Sequence, residues 1–135
     1  AAEMATASLD EVSGRISFLR DDLEDQIMQK IDNVTINGQG TSRVPNTSSV
    51  SFACIDGESI LLHLDLQGIC ASSGSACATG SQEPSHVLSA MGLNPIEAQG
   101  TIRFSLGKGT TQKDIDRTVE VLQEIVSRLR DISSL

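Results

Sequence analysis

The sequence contains almost no aromatic residues, with three Phe and neither Tyr nor Trp among its 135 residues. Its core must therefore be built mainly from aliphatic side chains. Basic residues are also scarce: 10 Lys and Arg stand against 18 Asp and Glu, which gives a formal net charge of −8. Because nucleic-acid binding relies on clusters of basic side chains and on aromatic stacking, this composition argues against a nucleic-acid partner.

Long apolar runs and an export signal are missing as well. Stretches such as Ile60-Leu61-Leu62 are far too short to span a bilayer, and the first residues lack the basic and apolar segments of a signal peptide. The three cysteines form no CxxC pair, which argues against a stable metal site, and their odd number favours a reducing compartment. We therefore expect one cytoplasmic domain without a membrane segment.

Apolar spacing predicts two long helices near the ends of the chain and short strands between them. In residues 4–31, and in the segment after Thr111, apolar residues recur every three or four positions. A shorter helix is predicted at 57–67, and another begins near Pro84. Strands are predicted at 33–36, 47–55, 69–71 and 101–106. The predicted fold class is α+β, a small and largely antiparallel sheet with helices on one face.

The two best-defined strands each have an apolar face and a polar face. Val50, Phe52 and Cys54 alternate along 47–55, which predicts that Cys54 lies in the core, and apolar neighbours predict the same for Cys70. The opposite face carries polar side chains, namely Ser49, Ser51, Arg103 and Ser105. We expect this face to border solvent or a cleft.

Residues 72–83 lack any apolar pattern, and Cys77 lies in the middle of them. A small, polar, glycine-containing segment predicts a flexible surface loop. A thiol in such a loop is accessible and becomes a nucleophile when it ionises; the alternative is an incidental surface cysteine. Neither His63 nor His86 has a spacing that marks it as the base of a Cys–His pair.

Arg103 is the second candidate for a chemical role. It lies in the middle of a predicted strand, on the polar face, where a guanidinium can hold a carboxylate with two hydrogen bonds. The alternative is a surface arginine paired with a nearby acid. A cluster of acidic residues is interpreted, by contrast, as a solvated helix face, with an acidic docking surface as the alternative; it comprises Asp21, Asp22, Glu24 and Asp25.

Several segments together resemble cysteine desulfurases of the NifS/IscS type, which have the fold of class V aminotransferases. The stretch 72–77, SSGSAC, followed by 83–88, EPSHVL, resembles the active-site loop of that family in its long-loop class. The stretch 101–107, TIRFSLG, and the segments 43–52 and 57–59 resemble the regions around that loop. The resemblance extends over nearly the whole chain.

This resemblance implies a homodimeric enzyme that uses pyridoxal phosphate, takes sulfur from L-cysteine and releases L-alanine. Cys77 would be the catalytic nucleophile that becomes a persulfide, and Arg103 would bind the substrate carboxylate. The persulfide would pass to an iron–sulfur scaffold or another sulfur-acceptor protein, and Cys77 could be a transient iron–sulfur ligand without forming a stable metal site. The rest of the active-site loop would include Ser72, Ser73, Gly74, Ser75, Ala76 and Ala78.

Members of that family are much longer than this chain, which resembles their C-terminal small domain. Residues 1–31 would form the helical connection between domains and residues 32–135 the small domain, without the large domain that binds the cofactor. None of Lys30, Lys108 and Lys113 matches the motif of the cofactor-binding lysine, so we expect no cofactor and no activity for this chain alone. One alternative is a stand-alone sulfur-carrier or interaction domain. Another is a selenocysteine lyase or a different relative among the class V aminotransferases, and the SGSAC motif argues against it.

Overall fold

The structure is a computed structural model that describes residues 2–73 and 85–133. Within these ranges the chain forms five helices and three strands, in the order α1 (Ala2–Lys30), β1 (Val34–Ile36), β2 (Thr47–Phe52), α2 (Gly57–Leu66), α3 (His86–Ala90), α4 (Pro95–Gln99), β3 (Thr101–Ser105) and α5 (Gln112–Ser133). The α+β class predicted from the sequence is confirmed. In the described ranges, no helix is long and apolar enough to cross a membrane.

The three strands form one antiparallel sheet in the order β1-β2-β3. Ile36 lies opposite Val50 in the first pair of strands, and Val50 lies opposite Ile102 in the second. All three are buried, because directly opposed side chains of an antiparallel pair lie on the same face of the sheet. On the outer side of β3, Ser72 forms an isolated antiparallel bridge with Arg103.

The three longer helices cover the apolar face of the sheet. Spacings of three and four residues keep the apolar side chains of each helix on one side. α2 begins after Asp56, whose side chain accepts a hydrogen bond from the Ser59 N–H at 3.0 Å. The core residues from this helical layer are Ile16, Leu19, Leu23, Ile27, Ile60, Leu64, Ile115, Val119, Leu122, Ile125 and Val126.

Polar contacts tie the first helix of the chain to its last segment. Arg15 donates to the carbonyl oxygens of Lys108 at 2.5 Å and Thr110 at 2.8 Å. Further along α1, the side-chain amide of Gln26 donates to the Asp116 carboxylate on α5 at 2.9 Å. The two ends of the sequence therefore close the core together.

The short helix α4 packs closely against the end of β2. Its capping box consists of Asn94, which accepts from the Glu97 N–H at 2.9 Å, and of Glu97, which accepts from the Asn94 N–H at 3.1 Å. The carbonyl of Gly100 then accepts from the Phe52 N–H at 2.9 Å. A Cβ atom at Gly100 would collide with the carbonyl oxygens of Phe52 and Ile55, so this crossing requires glycine.

The sequence predictions for two of the cysteines are wrong. β2 ends at Phe52, before Cys54, because the backbone leaves the extended region, with φ of 53° at Asn33 and 63° at Cys54. Cys54 therefore lies in a turn and is exposed. Residues 69–71 form no strand, and Cys70 is exposed as well. The expectation that both thiols are shielded in the core fails for this reason.

Candidate functional site

The sheet face opposite the core carries a cluster of polar side chains from β2 and β3. Strand register places Ser49 opposite Arg103 and Ser51 opposite Thr101. Ser51 and Thr101 are buried, Ser49 is half-buried and Arg103 is exposed. The predicted polar face is therefore present, but one end of it is covered.

A pocket of about 390 Å³ lies between this polar face and α3. The floor of the pocket is formed by the sheet and the opposite wall by the helix. α3 and the residue after it contribute mostly apolar side chains, so the pocket combines an apolar wall with the guanidinium of Arg103. This pattern suits a small ligand with an anionic end. The lining residues from the sheet are Thr47, Ser49, Thr101 and Arg103, and those from the helical side are His86, Val87, Leu88 and Met91.

The guanidinium of Arg103 has no ion pair or hydrogen bond with any described residue, although its backbone bridges to Ser72. In contrast, Arg20 pairs with Asp21 at 2.7 Å and accordingly has part of its charge neutralised. The alternative interpretation, in which a nearby acid neutralises Arg103, therefore finds no support in residues 2–73 and 85–133. Within the described part of the chain, none of the N–H groups of this guanidinium is used, so they can bind a ligand.

A chain of hydrogen bonds runs through the covered end of the polar face. The side-chain amide of Asn37 donates to Ser49 Oγ at 3.2 Å and to Ser51 Oγ at 2.9 Å. Ser51 Oγ lies 2.7 Å from Thr101 Oγ1, which donates to the carbonyl of Glu97 at 2.8 Å. These contacts connect the end of β1 to β2, β3 and α4, and so they fix the geometry of the pocket floor.

Sequence reasoning missed Asn37, because an Asn-Gly dipeptide between two strands indicates only a turn. The available signal was the pair Ser51 and Thr101. Both side chains lie on the polar face of the sheet, directly opposite each other on neighbouring strands. Two paired hydroxyls that become buried need further hydrogen-bond partners, and these must come from another part of the chain.

Described residues at the beginning of the predicted active-site loop and just after its end lie at this pocket. The Ser72 N–H donates to the Arg103 carbonyl at 3.1 Å, and the Arg103 N–H donates to the Ser72 carbonyl at 2.6 Å. Ser73, at the beginning of the loop, and Ser85, just after it, both line the pocket. The other predicted loop residues lie outside the described residues, namely Gly74, Ser75, Ala76, Cys77 and Ala78.

The lysines lie away from the pocket. Lys30 donates to the Gln26 side chain of α1 at 3.2 Å, while Lys108 and Lys113 are exposed in and after the turn that follows β3. Of the two histidines, only His86 lines the pocket, and His63 is hydrogen-bonded to the Ser59 carbonyl through Nδ1 at 2.8 Å. Among the described residues, no three His, Cys, Asp or Glu side chains are grouped as metal ligands.

An ion pair between a half-buried arginine and a buried glutamate fixes the segment that leads into β2. Arg43 donates from Nη1 and Nη2 to the two carboxylate oxygens of Glu24 on α1, at 2.8 and 2.9 Å. These hydrogen bonds raise the pKa of Arg43 above its usual value, so the guanidinium stays charged. Glu24 is only 4% exposed, and the acidic cluster around it is therefore not wholly a solvated face.

Comparison with known proteins assigns the chain to a family. Residues 1–118 match the model of the family described as aminotransferase class-V. The chain belongs to the aminotransferase class-V family. Among solved structures, this class-V chain is similar to a NifS-like protein from Rickettsia africae ESF-5, with a TM-score of 0.79 and 31% identity over 92% of this chain and 31% of that one. A second NifS-like protein superimposes with a TM-score of 0.76 and 32% identity, over 94% of this chain and 31% of the other.

Curated proteins with higher sequence identity to this class-V chain also match it. A cysteine desulfurase of Trichormus azollae is 50% identical over 133 residues, which are 98% of this chain and 33% of that protein. The cysteine desulfurase IscS of Dictyoglomus turgidum is 48% identical over 134 residues, or 98% of this chain and 34% of that protein. The chain spans about a third of the length of the curated relatives that it matches.

Proposed function

We propose that this chain is the small domain of a cysteine desulfurase, which takes sulfur from L-cysteine and releases L-alanine. The observation that carries the proposal is the guanidinium of Arg103, which has no partner among the described residues and lines the same pocket as Ser73 and Ser85. These two serines lie on either side of the stretch of sequence that contains Cys77. The relatives of about 50% identity, which are named cysteine desulfurases, support it. In this arrangement residues 1–31 connect the two domains of the enzyme, and residues 32–135 form the small domain.

In the proposed enzyme, Arg103 binds the carboxylate of L-cysteine. A planar guanidinium offers two parallel N–H groups to a carboxylate, and such charge-assisted hydrogen bonds contribute about 1.5–3 kcal/mol. The apolar side chains across the pocket exclude part of the water around this pair, which strengthens the interaction.

Cys77 is the proposed acceptor of the sulfur. Ser73 precedes it by four residues, and because an extended chain advances at most ~3.6 Å per residue, the tether holds Cys77 within about 14 Å of Ser73. In the overall reaction, the C–S bond of L-cysteine breaks and an S–S bond forms on Cys77. The carbon gains a hydrogen to give L-alanine, and the two thiols are together oxidised to one persulfide.

Pyridoxal phosphate is the proposed cofactor of the whole enzyme, where it would supply an electron sink for cleavage of the C–S bond. The described residues do not provide its site, because a covalent link to this cofactor needs a lysine amine and no lysine of this chain lines the pocket. The lysine and the rest of the cofactor site therefore belong to the proposed large domain.

The partners follow from the proposed chemistry. The persulfide on Cys77 needs an acceptor protein, and an iron–sulfur scaffold is the proposed one, with Cys77 as a transient iron–sulfur ligand. The enzyme is proposed to be a cytoplasmic homodimer.

The test uses the full-length gene product, incubated with L-cysteine. We expect L-alanine to form, and mass spectrometry of the digested protein to find the added sulfur on Cys77. Cys77→Ser should abolish the persulfide, whereas the matched variants Cys54→Ser and Cys70→Ser should keep it. A protein that forms no L-alanine, or that carries the persulfide on Cys54 or Cys70, would contradict the proposal.

A further inference from the structure

The protons of the hydrogen-bonded chain beneath the pocket can be assigned one by one. A carbonyl oxygen only accepts, so the 2.8 Å contact between Thr101 Oγ1 and the Glu97 carbonyl uses the single hydroxyl proton of Thr101. The 2.7 Å contact between Ser51 and Thr101 must then use the proton of Ser51. Ser51 is therefore only an acceptor toward Asn37.

This assignment fixes the orientation of the Asn37 side chain. If its oxygen faced the serines, Ser51 would need a second proton, which a hydroxyl does not have. The amide nitrogen must face them, and its two N–H groups are then directed to Ser49 at 3.2 Å and Ser51 at 2.9 Å. Ser49 Oγ thus accepts from Asn37 and keeps its own proton.

Ser49 is the hydroxyl of the pocket floor that still has a proton to donate. The other two hydroxyls that the sheet contributes are committed, since Thr47 donates to the Asn46 side chain at 3.3 Å and Thr101 donates to the Glu97 carbonyl. The proton of Ser49 has no acceptor among the described residues. Because Ser49 lies directly opposite Arg103 in the register, the Cβ atoms of the two residues are expected to be about 4.5–5.5 Å apart.

We propose that Ser49 is a second donor to the carboxylate that Arg103 binds, and that Asn37 is a positioning residue that turns the Ser49 hydroxyl toward the ligand. The inference rests on the proposed function, since it needs a carboxylate at Arg103. A carboxylate has about four lone-pair positions, so a bidentate guanidinium leaves room for a third hydrogen bond.

The first test measures binding rather than turnover, with 3-mercaptopropionate as a probe that has a carboxylate and a thiol but no amine. Calorimetric titration of the full-length protein should show that Ser49→Ala weakens binding about tenfold, as expected for a hydrogen bond to a charged group. Ser49→Thr keeps the hydroxyl and should bind within about threefold of the unaltered protein. The matched control is Ser105→Ala, which removes an exposed hydroxyl two residues beyond Arg103 and should change nothing.

The second test addresses Asn37. Asn37→Asp keeps the shape of the side chain but replaces the donor with an acceptor, so the Ser49 proton should turn toward residue 37 and away from the pocket. We expect a higher KM for L-cysteine with kcat nearly unchanged, and weaker binding of 3-mercaptopropionate, while thermal unfolding confirms that the variant is folded. If Asn37 acts through Ser49, the loss of binding caused by Asn37→Asp should be smaller in the Ser49→Ala background, where only the repulsion by the new charge remains, than in the unaltered protein.

The outcomes separate this inference from the proposed function. If Arg103→Ala loses 3-mercaptopropionate and Ser49→Ala binds it normally, the role of Ser49 is refuted and that of Arg103 stands. If Arg103→Ala binds 3-mercaptopropionate as well as the unaltered protein does, or if the unaltered protein does not bind it, both the role of Ser49 and the role of Arg103 are overturned. Additive losses from Asn37→Asp and Ser49→Ala would show that Asn37 does not act through Ser49.

Discussion

Removal of the Arg43 side chain should destabilise this chain strongly, because it leaves the buried carboxylate of Glu24 without a partner. The two side chains are 18% and 4% exposed, and both oxygens of Glu24 accept from Arg43. Breaking a buried ion pair by removing one member typically costs about 3–5 kcal/mol. For a chain of this length, that corresponds to a decrease in Tm of roughly 10–20 °C.

Urea unfolding followed by circular dichroism is the assay for Arg43→Ala. Arg43→Lys should recover part of the loss, since a point charge replaces the bidentate fork. The double variant Glu24→Leu/Arg43→Met should be less destabilised than Arg43→Ala, because no charge is left buried. The control is Arg128→Ala on the exposed side of α5, with an expected change within about 0.5 kcal/mol.

A loss below about 1 kcal/mol for Arg43→Ala would refute this reasoning. It would mean that Glu24 regains water when Arg43 is absent, and that the segment before β2 is held by other contacts. The pKa of Arg43 is raised, so its charge, and the stability that depends on it, should persist throughout the alkaline range used for such measurements.

Three further predictions concern backbone space, thiol exposure and pH. Gly100→Ala should destabilise the chain by about 1–3 kcal/mol in urea unfolding, since the new Cβ meets backbone oxygens. Gly14→Ala, in open space within α1, should stabilise it by about 0.5–1 kcal/mol. If Gly100→Ala proved the more stable of the two variants, the packing described for α4 would be contradicted. Iodoacetamide should modify Cys54 and Cys70 without denaturant, as read by mass spectrometry, because both are exposed; protection of either thiol would contradict its placement. Hydrogen bonds from Thr111 lower the pKa of Asp114 below its usual 3.8, so the stability that this carboxylate contributes is complete above that pH and is lost as the pH falls through the lowered pKa. The urea midpoints of Asp114→Ala and the unaltered chain should therefore differ at pH 7 and converge in acid, and a constant gap would contradict the assignment.

The sequence predicted the parts of the fold that depend on local periodicity. Two patterns identified buried faces: the alternation around Val50 in β2 and the apolar stripe of α5. Each pattern repeats within two to four residues, so a single strand or helix contains it several times. The polar face with Arg103 followed from the same alternation. These features can be predicted without knowing which helices and strands pack against one another.

The features that were missed depend on contacts between distant residues. Cys54 continues the alternation of β2, yet the backbone turns at Asn33 and Cys54, where the β1–β2 ladder ends. Glu24 stands in an acidic cluster, and its burial is set by Arg43, 19 residues away. The Asn37 contact with Ser51 joins residues 14 apart that a turn and a strand bring together.

The pairing of the first and last helices has a consequence for biosynthesis. Gln26 and Asp116, which meet in the folded chain, are separated by 90 residues, so the apolar side of α1 leaves the ribosome long before α5 exists. At about 5–20 residues per second, the delay is on the order of 5–20 s. During that time the nascent chain exposes the aliphatic stripe of α1, so this helix can be bound by a chaperone until translation reaches α5.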